Sequence, residues 1–134
     1  MKKDIEIPEV KDIAIAIVPE LNEAGAREWS VFFLNLKDIA VDSVLINATG
    51  RGRVNGEEKH TATLRFFLDH IEPQSAKRFE MILPEAFALN NEYWVSFYQD
   101  KNIFDKKYIF AANSISEDRT VIIPILNKPG VMVK

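Results

Sequence analysis

Cysteine is absent, which removes disulfide scaffolds, thiol nucleophiles and thiolate metal sites and fits a reducing compartment, so the expected location is cytoplasmic. Glycine and proline are also sparse, at five and six residues in 134, and exclude collagen-like or low-complexity classes. There is no apolar run near the roughly 20 residues that span a bilayer, so no membrane association is expected. Basic residues are not in excess: the formal net charge is −3, which argues against a nucleic-acid partner, since replacing counterions on phosphates needs a basic face. The N-terminal stretch MKKDIEIPEVKDIAIAIVPE opens with two lysines, as a signal peptide does. Asp4, Glu6, Pro8, Glu9 and Asp12 then stand where an apolar stretch should be, so it reads as uncleaved.

What is present is a globular composition, 47% hydrophobic and 28% charged, in a chain of ordinary single-domain length. Residues 1–134 are therefore expected to form one domain. Period-two patterning dominates. Ile13 to Val18 reads as a first strand ending at Pro19, and a polar turn with Gly25 leads into EWSVFFLNL. There Trp29, Val31 and Phe33 fall on one face and Phe32 and Leu34 on the other, the mark of a central strand covered on both sides. In DSVLINATGRGRV, Val44, Ile46 and Ala48 alternate up to Asn55-Gly56, a strong hairpin signal because both central residues of a type I′ turn need positive φ. The return strand HTATLRFFL places Leu64, Phe66 and Leu68 on one face and Thr61, Thr63, Arg65 and Phe67 on the other.

Pro73 forces a change of direction. AKRFEMI follows as a short strand with Phe79 and Met81 facing one way, and PEAFALNN as a single helical turn opened by Pro84. The next stretch, Glu92 to Phe110, holds seven of the fourteen aromatic residues in nineteen positions. It reads as a hairpin around Asp100-Lys101-Asn102, with Tyr93, Val95 and Phe97 facing opposite to Trp94, Ser96 and Tyr98. TVIIPIL, carrying Pro124, is an edge-strand candidate, and NKPG should close the ordered chain before a tail VMVK. Seven to eight short, hairpin-linked strands are the pattern of an antiparallel β-sandwich. The expected core is Trp29, Val31, Phe33, Val44, Ile46, Leu64, Phe66, Phe79, Val95 and Phe97.

In LNNEYWV, Tyr93 stands two residues before the inward Val95, which resembles the tyrosine corner of immunoglobulin-like and fibronectin type III domains. That resemblance implies a Tyr93 hydroxyl bonded to backbone in the preceding corner. The runs EWSVFFLN, NGEEKHTATLRFF and LNNEYWVSFY with IFDKKYIF are similar to a small uncharacterised bacterial family, some of whose members carry an automated label as a phenylalanyl-tRNA synthetase α subunit. The resemblance implies an immunoglobulin-like fold. The label implies a large catalytic sheet with arginine-bearing motifs and a glycine-rich strand-helix motif, and Gly50-Arg51-Gly52-Arg53 is the only glycine-arginine cluster here. Fold alone supplies no activity.

Candidate chemistry is thin. Arg51 and Arg53 could grip an anion, but they sit beside a hairpin turn among Glu57, Glu58 and Lys59, where solvated charges are ordinary. His60 and His70 could join Asp69 or Glu72 around a metal, but as opposite ends of one strand they would lie roughly 33 Å apart, too far to share one. Ser75, Ser96 and Ser114 have no nucleophile elbow, and Asn47-Ala48-Thr49 is a chance match to a glycosylation acceptor. No catalytic residue, metal site or cofactor is expected. The remaining expectation is a binding or self-assembly module using Trp94, Tyr98 and Leu45 on an outer sheet face, as a homodimer or with another protein. Burying Trp94 and Tyr98 would remove roughly 300–400 Å² per chain. The alternatives are a structural domain that contacts an assembly through an edge strand, or a small hydrolase. An intramolecular cover from the N-terminal segment or the tail after Pro129 would remove the outer face from use.

Overall fold

The computed structural model describes residues 9–134, so the reading of the first eight residues as an uncleaved segment, and as a cover for the aromatic face, lies outside the described residues. The described chain is 63% strand and 6% helix. Two antiparallel sheets stack as a β-sandwich. The strands are β1 (Ile13–Leu21), β2 (Arg27–Asn35), β3 (Val41–Val54), β4 (Glu57–His60), β5 (Leu64–Ile71), β6 (Ser75–Ile82), β7 (Asn90–Gln99), β8 (Asn102–Phe110), β9 (Val121–Ile123) and β10 (Lys128–Val133). One sheet runs β6-β2-β1-β10-β9; the other runs β4-β3-β7-β8, with β5 also paired to β3.

Alternation accounts for most of the core. Ile13, Ile15 and Ile17 of β1, with Trp29, Val31 and Phe33 of β2, face Val44 and Ile46 of β3 and Tyr93, Val95 and Phe97 of β7. The intervening residues Ala14, Ala16, Val18, Phe32 and Leu34 are buried too, in a second cluster closed by Ile123. The first sheet thus has two apolar faces, which is why its central strands read as nearly continuous apolar runs. Pro19 does not end β1. Beyond Ile17 the strand pairs only with β2, so a residue without an N–H can occupy the open side.

Turn chemistry follows the residues. Asn55 and Gly56 have φ of 53° and 81°, as a type I′ turn requires. Asp100 and Lys101 close the β7–β8 hairpin with φ of 51° and 67°, a conformation reached there without glycine. Pro84 opens a 3₁₀ turn over Pro84–Ala88. Asn35, fully buried at the end of β2, donates from Nδ2 to the carbonyls of Ile39 and Glu72, both at 2.9 Å, and of Ile71 at 3.3 Å, and accepts from the Lys37 N–H at 3.0 Å. This one amide ties the first sheet to the end of β5 in the second.

Other expectations are corrected as well. Among the described residues the strand segments number ten, not seven or eight. The tail is not a tail: Val131 to Val133 lie within β10, which pairs with β1 through Ile17 and Val131, and Ile15 and Val133. The segment after Pro129 is therefore built into the first sheet instead of covering the aromatic face of the second. The return strand from the Asn55-Gly56 turn breaks at Thr61–Thr63, where its pairing to β3 slips by one residue between Arg51–His60 and Ala48–Leu64. Leu64, opposite the inward Ala48, is 51% exposed because no strand of the other sheet covers it there. Phe79 and Met81 do not share a face. A bulge at Phe79, where β2 passes from Val31 opposite Glu80 to Phe32 opposite Arg78, leaves Phe79 against the core, turns Glu80 and Ile82 inward and leaves Met81 exposed. Finally, the Tyr93 hydroxyl donates to the Glu80 carboxylate at 3.0 Å instead of to backbone, so the tyrosine-corner bond is not made.

Candidate functional site

The outer face of the second sheet is assembled by pairing. Leu45 lies between Phe67 of β5 and Ser96 of β7, Asn47 between Arg65 and Trp94, and Asp42 between His70 and Tyr98. On β8, Ile103 pairs with Tyr98, Asp105 with Ser96, Lys107 with Trp94 and Ile109 with Glu92. Six large apolar side chains stand open on this face: Leu45, Phe67, Trp94, Tyr98, Ile103 and Ile109, between 38% and 62% exposed. Because Trp94 and Tyr98 are half exposed, together they offer about 200–250 Å², less than the sequence alone suggested. Phe67, Ile103 and Ile109 more than restore the difference. Phe67 was legible only as facing away from Phe66; its place beside Leu45 needed the β3–β5 register.

Trp94 is held in position. Its indole N–H donates to Asp105 Oδ1 at 2.6 Å, and Ser96 Oγ donates to the same oxygen at 2.9 Å. Lys107 Nζ lies 5.0 Å from the indole ring centre and 3.6 Å from Glu92, which also meets Arg51 at 3.7 Å. A polar cleft of about 400 Å³ adjoins the ring, edged by Arg51, Arg65 and Lys107. At the other end of the same strands, His70 is set between two carboxylates. Its Nδ1 meets Asp42 and its Nε2 meets Glu72 at 2.9 Å. These hydrogen bonds, Asp42's first and Glu72's second, hold the imidazolium pKa above the usual histidine value, since the neutral ring can satisfy only one of the two. Along the strands the face is therefore polarised in net sign, negative where Asp42 and Glu72 flank His70 and positive where Arg51, Arg65 and Lys107 surround Glu92.

The other sequence candidates are dispersed. Arg53 bonds the Gly56 carbonyl at 3.3 Å and lies 3.7 Å from Glu58 in its own hairpin, while Arg51 belongs to the aromatic face. Among the described residues the His60 ring meets one hydrogen-bond partner, the neighbouring Thr61 carbonyl at 3.4 Å. Among the described residues no group of three or more histidine, cysteine or acidic side chains is placed to hold a metal, and no helix is long and apolar enough to cross a membrane.

A site that sequence reading missed lies at the sandwich edge. Glu80 and Tyr93 line a cavity of about 380 Å³ between β6 and the β4–β5 break. Burial pushes the Glu80 carboxyl above the usual range, with the Tyr93 hydrogen bond acting in the opposite direction, and pushes the Tyr93 phenol upward as well. The signal was hidden because Glu80 turns inward only through the Phe79 bulge. No family model, curated protein or solved structure matches this chain.

Proposed function

We propose that this protein is a non-catalytic, immunoglobulin-like assembly module that forms a homodimer through the outer face of its second sheet. The observation that supports this reading is an open apolar face, already ordered, whose charge is polarised along its strands. Six half-exposed side chains at roughly 100 Å² each amount to about 600 Å² per chain, at the top of the range for patches on monomers and close to the ~800 Å² per partner of a standard interface. The Asp105 hydrogen bond fixes Trp94 in advance, so less side-chain entropy is lost on association. A two-fold axis lying in the interface and crossing the strands would set Asp42 and Glu72 of one copy over Arg65 and Lys107 of the other. Self-complementarity of this kind is what an isologous contact requires.

Light scattering and sedimentation test it. The wild type should be a dimer that weakens with added salt, and Trp94→Ser/Tyr98→Ser should be a folded monomer. Arg65→Glu should also dissociate it, by setting like charges opposite one another. A wild-type monomer at all concentrations would refute the proposal. A dimer indifferent to the double change would shift the contact to β9, where Val121 and Ile122 are exposed on the sheet edge and serve the alternative of an edge-strand structural domain.

A further inference from the structure

The two sheets are open along the edge where β6 faces β5, since no backbone ladder joins these strands. Three local features shape that opening. The register slip at Thr61–Thr63 interrupts the second sheet, the Phe79 bulge turns Glu80 inward, and the 3₁₀ turn Pro84–Ala88 bounds the far end. The resulting cavity of about 380 Å³ is at the small end of the range for ligand pockets. Leu64, Met81 and Leu83 surround it, each about half exposed, and the buried Tyr93 lies at its inner end. The wall is otherwise formed mainly by small or apolar residues, and among the described residues no lysine, arginine or histidine contributes to it.

Among the described residues, Glu80 is the one acidic side chain in this lining. Its Oε2 accepts the Tyr93 hydroxyl, its Oε1 takes no hydrogen bond from a described residue, and no lysine or arginine among the described residues pairs with it. A carboxylate held among apolar walls without a counter-ion is costly, and that cost falls when a cation is brought to it. Desolvation already shifts Glu80 towards its protonated form, in keeping with a missing positive partner.

We propose that this cavity binds a small hydrophobic amine, with the apolar part among Leu64, Met81 and Leu83 and the ammonium group on the Glu80 carboxylate. The charge pattern selects the class. A fatty or aromatic carboxylate would bring a second negative charge to Glu80 with no cation to separate them, and an alcohol would gain the apolar contact without the ion pair. The size of the cavity fits a monocyclic or short-chain ligand. The site lies away from Trp94 and Tyr98, so it stands or falls independently of the dimer.

Hexylamine, hexanol and hexanoate, titrated into wild-type protein and into Glu80→Gln while methyl resonances are followed by NMR, provide the test. The Glu80→Gln change keeps the side-chain shape and leaves an acceptor for the Tyr93 hydroxyl, and circular dichroism verifies the fold of the variant. Hexylamine should shift the Met81 and Leu64 methyl signals in the wild type and lose at least tenfold in affinity in Glu80→Gln. Hexanol should bind both proteins alike, and hexanoate neither. Hexanoate binding as well as hexylamine, an amine affinity unchanged by Glu80→Gln, or no methyl shift at millimolar amine would each overturn the proposal.

Discussion

Replacing Asn35 by alanine should destabilise the fold by about 3–4 kcal/mol. The side chain is fully buried and makes three good hydrogen bonds, to the Ile39 and Glu72 carbonyls and from the Lys37 N–H, with a longer fourth to Ile71. Each good bond contributes about 1 kcal/mol net, and the groups left behind are partly shielded from water, so the sum lies near or a little above 3 kcal/mol. Against the roughly 5–15 kcal/mol of a typical domain, that is a large share. Urea unfolding followed by fluorescence of the buried Trp29 reads it directly. With a slope of about 2 kcal/mol per molar, the midpoint should fall by roughly 1.5–2 M with the slope unchanged. Asn35→Asp sharpens the test. It retains an acceptor for Lys37 but sets a carboxylate against carbonyl oxygens, so it should cost more than alanine at neutral pH and recover part of that loss in acid. A loss below 1 kcal/mol, or aspartate better tolerated than alanine, would show that the amide donors do not tie the sheets together.

A Cβ added at Gly130 would stand 2.9 Å from the Ile17 carbonyl oxygen as well as from Ile123 and Val18 side-chain atoms, so Gly130→Ala should cost about 1–3 kcal/mol in a thermal melt; an unchanged midpoint would mean that β10 can shift at no cost. Lys101→Gly should stabilise the β7–β8 hairpin by about 1 kcal/mol, because lysine at a φ of 67° carries a steric penalty that glycine does not; destabilisation would contradict that account. For His70 the folded pKa is raised, so its contribution to stability is complete below about 6.5, the ordinary histidine value, and is lost as pH rises through the raised folded value. His70→Asn should flatten the stability profile over that window, and an NMR titration of wild-type His70 giving a value at or below the ordinary one would refute the clamp.

The strands were legible where period-two patterning and burial coincide. Trp29, Val31 and Phe33, or Val95 and Phe97, occupy the core that their alternation implies, and Trp94 and Tyr98 point outward for the same reason. Asn55-Gly56 declared its turn because only a few residue types tolerate positive φ. What escaped depends on partners remote in sequence. Phe79 is an ordinary strand residue until β2 is laid beside it and one residue is found to be in excess. Leu64 obeys its alternation and still meets solvent, because burial also requires a cover from the opposite sheet. Val131 to Val133, after Pro129 and Gly130, look like an exit from the fold until β1 supplies the ladder. Of the six apolar side chains on the outer face, Trp94 and Tyr98 followed from β7 alone; Phe67, and the polarity from Asp42 to Arg65, required knowing that β5 lies beside β3.

The pairing of β1 with β10 also sets how the domain responds to force. The two strands run antiparallel, with Ile15 opposite Val133 and Ile17 opposite Val131, so the start of β1 and the end of β10 emerge side by side at one end of the sheet. Tension applied between those ends loads the ladder one rung at a time, as in opening a zip, instead of shearing all the rungs together. In that geometry the β1–β10 ladder should open at lower force than one loaded in shear. The domain's resistance to pulling from those two ends, unlike its resistance to heat or urea, is set by the first rung to open.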